Sequence, residues 1–490
     1  MVFAMTSFST AISFGVKTLR PQAHKNLFLR STSLRLESAN PNVERYDSLS
    51  FQLANAYKDR ESDGVQDFIK MNSNLLREHS ARDFLLASIE ATSTKIGDTA
   101  TIMNSLIASC VNFSDPDEFQ SRKALELLEI MERSEESTGI KVKPDIVSYC
   151  CAFSACSCVS KADANQRMDH VASNEAQTIL DKIQQMSKKQ AGGKRRKAMN
   201  TTKRKLRRSD TTISEPDLSS VFKQILEPYD VSILFENENY IAINKPSSMI
   251  CYHRHRTTKG KHKDVSLEEV LLKCNQAVDG TLSTLNPEAL GIVHRLDRGT
   301  SGCILIAKNN QAHALLLTAF FKREVKKSYI ALIPAKAQIK SKDDPLGVGD
   351  SGLIDIPVDG KPALSSYTIE HIYSSPPEAI AVRLETFTGR KHQVRVHCAM
   401  GLNRPIFLEP LYKSDGTLHV QKQKKQKKKK SIPSTSSLPP KPIQNAESKI
   451  QSGHRFFLHA QSLQVPFLGI QILAPLPEWW EETVIKFHTK

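Results

Sequence analysis

Hydrophobic positions along this chain follow two different periods. Across residues 85–186 they recur at helical spacing, and the pattern comes round twice. The stretch Thr101-Ile-Met-Asn-Ser-Leu-Ile-Ala-Ser-Cys110 is echoed by Val147-Ser-Tyr-Cys-Cys-Ala-Phe-Ser-Ala-Cys156, and a helix at 124–131 by one at 176–183. Each unit reads as helix, turn, helix. Beyond residue 233 the signal becomes that of strands. Ile304, Leu305 and Ile306 form the continuous apolar run of a buried strand, and residues 329–333 form another. Ile380, Val382 and Leu384 alternate along a half-buried strand that runs into a turn at Thr388-Gly389, after which a helix is expected.

Between the two regions the hydrophobic signal vanishes. Residues 188–208 carry eleven basic side chains and no acid, and residues 422–430 carry seven more. Together these runs exceed the net charge of +16, so the remainder of the 490-residue chain is close to neutral. Such segments cannot bury a core. Residues 188–215 are therefore expected to be a flexible basic linker and residues 413–454, rich in Lys, Gln, Ser and Pro, a disordered insertion. Basic tethers gain affinity for a polyanion by releasing its counterions; a solvated linker or a nuclear-import signal is the alternative reading.

The first acidic residue is Glu37, preceded by Lys17, Arg20, Lys25, Arg30 and Arg35 among Ser, Thr and small apolar residues. This is the composition of an organellar transit peptide over residues 1–40, for mitochondrion or plastid; an untargeted terminus, with the protein in nucleus or cytoplasm, is the alternative. Nine cysteines in a chain this long do not read as a disulfide framework and imply a reducing compartment. Cys150, Cys151, Cys156 and Cys158 lack the paired spacing of a zinc site, and packing between helices accounts for them better. No run is long and apolar enough to span a membrane.

One short stretch carries chemistry. Gly291-Ile-Val-His-Arg-Leu-Asp-Arg-Gly-Thr-Ser-Gly302 sets Asp297 between Arg295 and Arg298 in a glycine-bounded turn ahead of the buried strand. The two guanidiniums are expected to hold Asp297 ionised, and a loop between strands is where reactive groups concentrate. A surface loop whose Asp merely pairs with Arg fits the same residues.

Further motifs stand around it in a fixed order. Tyr240-Ile-Ala-Ile-Asn-Lys-Pro246 and Tyr252-His253 precede it; Lys326-Lys-Ser-Tyr-Ile-Ala331, Thr388-Gly-Arg-Lys-His-Gln-Val-Arg-Val-His397, Leu458-His-Ala460 and Ala474-Pro-Leu-Pro477 follow. In this arrangement the segment from residue 233 to about 486 resembles the pseudouridine synthases of the RluA family. The resemblance implies an α+β catalytic domain over 225–490, a mixed, largely antiparallel twisted sheet with flanking helices, preceded by an α-helical region at 85–187. It implies isomerisation of uridine to its C-glycoside in structured RNA, ribosomal or transfer, by a monomer without metal or small-molecule cofactor and without a membrane partner.

The resemblance also distributes roles. Asp297 becomes nucleophile or oxocarbenium stabiliser at the sugar anomeric carbon, with uracil as leaving group. Arg395 pairs with it, although Arg390 is an alternative partner, and Tyr329 stacks on the base with its hydroxyl near the proton leaving C5. On local sequence alone Tyr329 is equally an ordinary strand tyrosine. Arg295 fills the gap left by the flipped uridine. With Arg298, Lys245, His294, Arg390 and His392 it makes up the expected RNA-contacting set. His294, His392 and His397 have no Cys or acid at ligand spacing and are not read as a metal site. The family's usual Gly-Asp is replaced by Phe407-Leu408-Glu409, which puts the local loop geometry in question. A non-catalytic RNA-binding or ribosome-assembly protein that keeps the fold is the competing reading, and hydrolysis of a glycosidic bond would need a second carboxylate that no motif supplies. Pro144-Asp145 in the helical region resembles the boundary of pentatricopeptide repeats, over about two units with insertions in each; a generic helical hairpin domain is the alternative.

Overall fold

The strand signal resolves into nine strands in one sheet: β1 Ser232–Glu236, β2 Tyr240–Lys245, β3 Ser301–Ala307, β4 Lys326–Pro334, β5 Ser351–Asp355, β6 Leu364–Tyr373, β7 Ala379–Thr386, β8 Leu458–Val465 and β9 Ile470–Leu473. Their order is β1-β2-β3-β8-β4-β7-β6-β5, with β9 paired to β8. All neighbours are antiparallel except β3 and β8. That parallel contact is short, Ser301 to His459 and Gly302 to Ala460, yet it joins the two halves of the sheet. Gly302 has φ 118°, and a Cβ there would collide with the backbone of Ala460. Only glycine lets the two strands approach so closely.

This computed structural model describes residues 41–92, 95–114, 118–157, 174–190, 218–253, 265–277, 282–286, 290–337, 346–374, 377–412 and 455–488. The transit peptide expected at 1–40, most of the 188–215 linker, Cys158 and the 413–454 insertion fall outside these residues. Among the described residues, those from 41 to 190 form nine helices: α1 Pro41–Arg60, α2 Ser62–Met71, α3 Leu75–Glu78, α4 Ala81–Ala91, α5 Ile96–Ser109, α6 Glu118–Glu132, α7 Ser134–Thr138, α8 Ile146–Cys156 and α9 Asn174–Gln190. Local chemistry sets their starts. Ser80 and Asp83 form a capping box on α4, and Asp145 and Ser148 form one on α8, so each helix has its first amide donors satisfied by side chains. Later helices are α10 Leu218–Leu226, α11 Leu267–Ala277, α12 Asn310–Phe321, α13 Gln393–Val396 and α14 Glu478–His488.

Helix α8 is buried along almost its whole length, which explains its unbroken run of apolar and small residues; the Cys150, Cys151 and Cys156 side chains are buried in its packing. One side of α8 meets α12, where Ser154 Oγ lies 2.9 Å from Thr318 Oγ1. Lys322 Nζ donates to the Val111 carbonyl, and Phe113 stacks on Phe467 with centroids 3.9 Å apart. A single hydrophobic cluster accordingly runs from Leu106, Cys151 and Phe153 through Leu316 and Ala319 to Val465 and Ile472. The basic run divides helices from strands in the sequence, but the core does not divide there. Residues from Tyr46 to Lys490 form one compact unit.

Two predictions follow from this packing. A chain that starts at Ser209 leaves the buried Leu316 and Val465 without their cover, at about 1.5–3 kcal/mol for each large side chain exposed. It should be poorly soluble or melt well below the full chain in a thermal scan; an equal melting temperature would show that the helices add nothing to the core. Three histidines are held neutral by burial: His294 is pushed down to about 3, with Lys327 adding to the effect, and His313 and His459 to about 4. The unfolded chain takes up those protons near pH 6.5 and the folded chain refuses them. Stability present above pH 6.5 should therefore drain away as the pH falls towards 4, read as a falling urea midpoint. A flat profile over that window would contradict the burial of these rings.

Candidate active site

The Asp297 loop is fixed from several sides before its carboxylate meets anything. The His294 ring stacks on Phe320 at 4.8 Å, and its Nε2 accepts the Leu305 amide at 2.9 Å, which ties the loop to β3. The Leu296 amide donates to Cys251 Sγ at 3.3 Å, and the Thr300 amide to the Asp297 carbonyl at 3.1 Å. Lys245, 0% exposed, spends its three donors on the carbonyls of Pro246, Met249 and Thr300 at 2.9, 2.7 and 2.7 Å. Burial pushes this ammonium down to about 8, with Cys251 and Asp297 opposing.

So supported, Asp297 sits in a cleft of about 780 Å³ that is also lined by His294, Arg295, Tyr329, Arg390 and His392. Its Oδ2 lies 4.0 Å from Arg395 Nη1 and its Oδ1 lies 3.8 Å from His392 Nε2. Burial raises the Asp297 pKa; Arg395, Arg295 and Lys391 pull it back, and Glu409 adds to the rise. Of the two arginines expected to hold Asp297 ionised, Arg295 does favour its charged form, second to Arg395. Burial outweighs the cations, the strongest opposing charge is Arg395, and Arg298 is exposed outside the cleft lining. A carboxylate whose charge is imperfectly compensated is a better nucleophile than one locked in an ion pair.

Arg395 itself is committed elsewhere. It is 3% exposed, and its Nε and Nη2 form a fork with Glu409 at 2.9 and 2.5 Å. Its guanidinium also lies over Phe456 at 4.6 Å and Tyr412 at 5.4 Å. The expected pair with Asp297 is thus a charge contact through the remaining nitrogen, too long for a hydrogen bond, while the closest partner is Glu409. Glu409 belongs to the stretch that departs from the family pattern. Leu408 before it has φ 63°, a left-handed conformation that a residue with a side chain adopts only at some strain. The carboxylate of Glu409 is thereby delivered to Arg395. This is also the second acid that no motif supplied, but the guanidinium engages both of its oxygens.

The RNA-contacting set separates into different environments. Arg295 is exposed at the rim, with Nη1 donating to Tyr252 Oη at 2.8 Å and the guanidinium 5.5 Å from the Tyr252 ring. Arg390 lines the cleft, donates through Nε to the Pro362 carbonyl at 2.9 Å and pairs through Nη1 with Glu61 at 3.0 Å; its Nη2 is buried without a partner. His392 has φ 62° and contacts Tyr412 Oη through Nδ1 at 2.7 Å. Lys245 is a correction: with every donor consumed and no exposed surface it is a structural staple beneath the loop, unable to touch RNA. His294 lines the wall as an uncharged ring rather than as a cation. Tyr329 projects from β4, where it pairs with Leu384 and Ala460, and burial together with Asp297 raises its phenol, so it stands neutral beside the carboxylate.

Glu409, Tyr252, Tyr412 and the α1–α2 junction at Glu61 were not singled out in the sequence as parts of the site. Glu409 entered the sequence reading only as part of the Phe407-Leu408-Glu409 departure, which put the loop geometry in question. For Glu61 there was no signal, because the contact spans the distance between two regions of the chain.

The RNA pseudouridylate synthase family model matches residues 239–400. An uncharacterized RNA pseudouridine synthase of Bacillus subtilis is 27% identical over 215 residues, 41% of this chain and 63% of that protein. The ribosomal large subunit pseudouridine synthase C of Escherichia coli is 32% identical over 188 residues, 37% of this chain and 52% of its own. The chain thus covers less than two thirds of the length of these curated relatives. A solved human structure, RNA pseudouridylate synthase domain containing 4, aligns at 22% identity over 55% of this chain and 97% of that one, with a TM-score of 0.36. Asp297, Tyr329, Arg390, His392 and Arg395 all fall inside the matched segment, and through that segment the chain is similar to the RNA pseudouridine synthases.

Proposed function

We propose that this chain isomerises uridine to pseudouridine in RNA, with Asp297 as the group that meets the sugar. The observation that carries the reading is the seat of Asp297: a half-buried carboxylate with a raised pKa, rigidly held, 4.0 Å from one arginine nitrogen, in a cleft whose wall includes Tyr329. Attack at C1′, or stabilisation of an oxocarbenium ion there, breaks the bond to N1 and releases uracil as an anion. Uracil turns and bonds to C1′ through C5, the C5 proton is lost, and N1 regains a proton, so substrate and product have the same atoms. Arg395, already fixed by Glu409, supplies positive charge near Asp297 without neutralising it outright. Tyr329 presents a flat face to the base and an O–H near C5.

Ribosomal RNA is the substrate class named for the Escherichia coli relative, and we extend it to this chain as the first to be tested, with transfer RNA second. The basic runs at 188–208 and 422–430 support a long polyanionic partner. The acid-free leader supports an organellar site of action, to be checked by fusing residues 1–40 to a fluorescent reporter.

Asp297→Asn preserves shape and hydrogen-bonding capacity but removes the anion. Pseudouridine formation should fall on the order of a thousandfold or more while RNA affinity stays within a few-fold of wild type. Turnover by the purified variant at a wild-type rate would end the assignment. Tyr329→Phe keeps the ring and loses the hydroxyl. Single-turnover rates should drop by about a hundredfold or more if the O–H serves in proton transfer from C5, with binding unchanged. Equal rates for the two proteins would reduce Tyr329 to a stacking platform.

A further inference from the structure

Beside the active-site cleft lies a second cavity of about 470 Å³, and the two share Arg323, Lys327, Thr386 and Thr388 in their walls. One side of this second cavity is the sheet, through Lys326 and Ser328 on β4. The other is the helical region, through Arg60 at the end of α1 and Gln66 on α2. The cavity exists because the α1–α2 junction is seated on the sheet. Glu61 Oε1 accepts from Lys361 at 2.8 Å and Oε2 pairs with Arg390 at 3.0 Å, and Asp63 pairs with Arg323. Glu61 has φ 56° and ψ −127°, a strained kink that turns its side chain towards the catalytic half.

Two residues of its lining carry a polar atom that is buried without a partner: Gln66 Nε2 and the hydroxyl of Ser328, a residue 7% exposed. Buried polar atoms are almost always satisfied, and two such atoms on residues that line one cavity point to a ligand towards which they turn. The charge is mixed. Four acids, Asp63, Asp67, Asp355 and Glu385, share the walls with five cations, so the cavity is not built to hold a phosphate by charge alone. What it offers is hydrogen bonding to a polar, flat, neutral group in a volume that suits a small ligand. Its continuity with the cleft makes the occupant part of the same strand.

We propose that this cavity is a nucleotide subsite, taking the base and ribose of an unpaired residue that neighbours the target uridine, with Gln66 from the helical region and Ser328 from the sheet as its hydrogen-bonding groups. The proposal rests on the isomerase reading for the identity of the strand. It assigns the helical region a direct part in choosing the site, since one wall of the subsite belongs to it.

The test uses full-length protein carrying Asp297→Asn, so that RNA is not consumed, and fluorescence anisotropy with a short labelled single-stranded RNA holding one uridine. Abasic residues are placed in turn at the positions on either side. At one of these positions the abasic change should weaken binding by about tenfold, Gln66→Ala should weaken the intact RNA by a similar factor, and the two losses should not add. Ser328→Ala, on the sheet side, should show the same non-additivity with the same position and serves if Gln66→Ala melts early. Losses that add at every position, or no loss from either substitution, overturn the subsite. Pseudouridine formation by wild-type protein on the same RNA is measured alongside. Its absence sinks the isomerase reading but leaves the binding cycle to stand or fall by itself.

Discussion

The structure turns on a carboxylate drawn half out of water. Burying Asp297 raises the free energy of its charged form, and whatever else surrounds it limits that cost without abolishing it. A full bidentate pair with Arg395 would remove the penalty and with it much of the nucleophilicity. Glu409 prevents this by claiming two guanidinium nitrogens and leaving the third at 4.0 Å from Asp297. The geometry is that of a shared cation: one arginine between two acids, tightly held by Glu409 and only loosely by Asp297. Lys245 acts from below in a similar manner, as a buried positive charge that holds the loop by its carbonyls and touches Asp297 only through the field.

A reactive group held so tightly needs a rigid platform, and the platform is larger than the segment that carries the motifs. The parallel contact at Gly302 and Ala460 sets the loop against β8. Helix α12, which lies behind β3, is itself covered by α8, so the packing that steadies the Asp297 loop reaches back to Cys151 and Phe153. On the open side Glu61 holds Arg390 in the cleft wall. The helical region is therefore part of the catalytic body in two ways, as the cover of its core and as one face of its groove.

Much of this was legible in the sequence, and the parts that were not have a common cause. Strand positions such as Ile304 to Ile306 and the alternating Ile380, Val382 and Leu384 show their burial through local period, and the structure places them in β3 and β7. The motif order brought Asp297, Tyr329 and Arg395 together in expectation, and they line or flank one cleft. Lys245 was read as an RNA contact because a lysine beside a motif looks like a cation for phosphate; whether its ammonium faces solvent or three carbonyls is decided by the path of the chain at Thr300, which no local pattern reports. Likewise the basic run suggested a boundary between two independent bodies. Charge patterning marks where a chain cannot fold, and it says nothing of whether the folded pieces on either side share a core.

The turn at Leu408 shows what the fork to Arg395 requires. A left-handed residue with a side chain is disfavoured by roughly 1–2 kcal/mol relative to glycine. That strain is borne at Leu408, one residue before Glu409, and the fork to Arg395 is intact. What this stretch secures is not a relaxed backbone. It is the arrival of one carboxylate at Nε and Nη2 of Arg395, because without it a buried guanidinium would close on Asp297 and turn a reactive carboxylate into a structural ion pair.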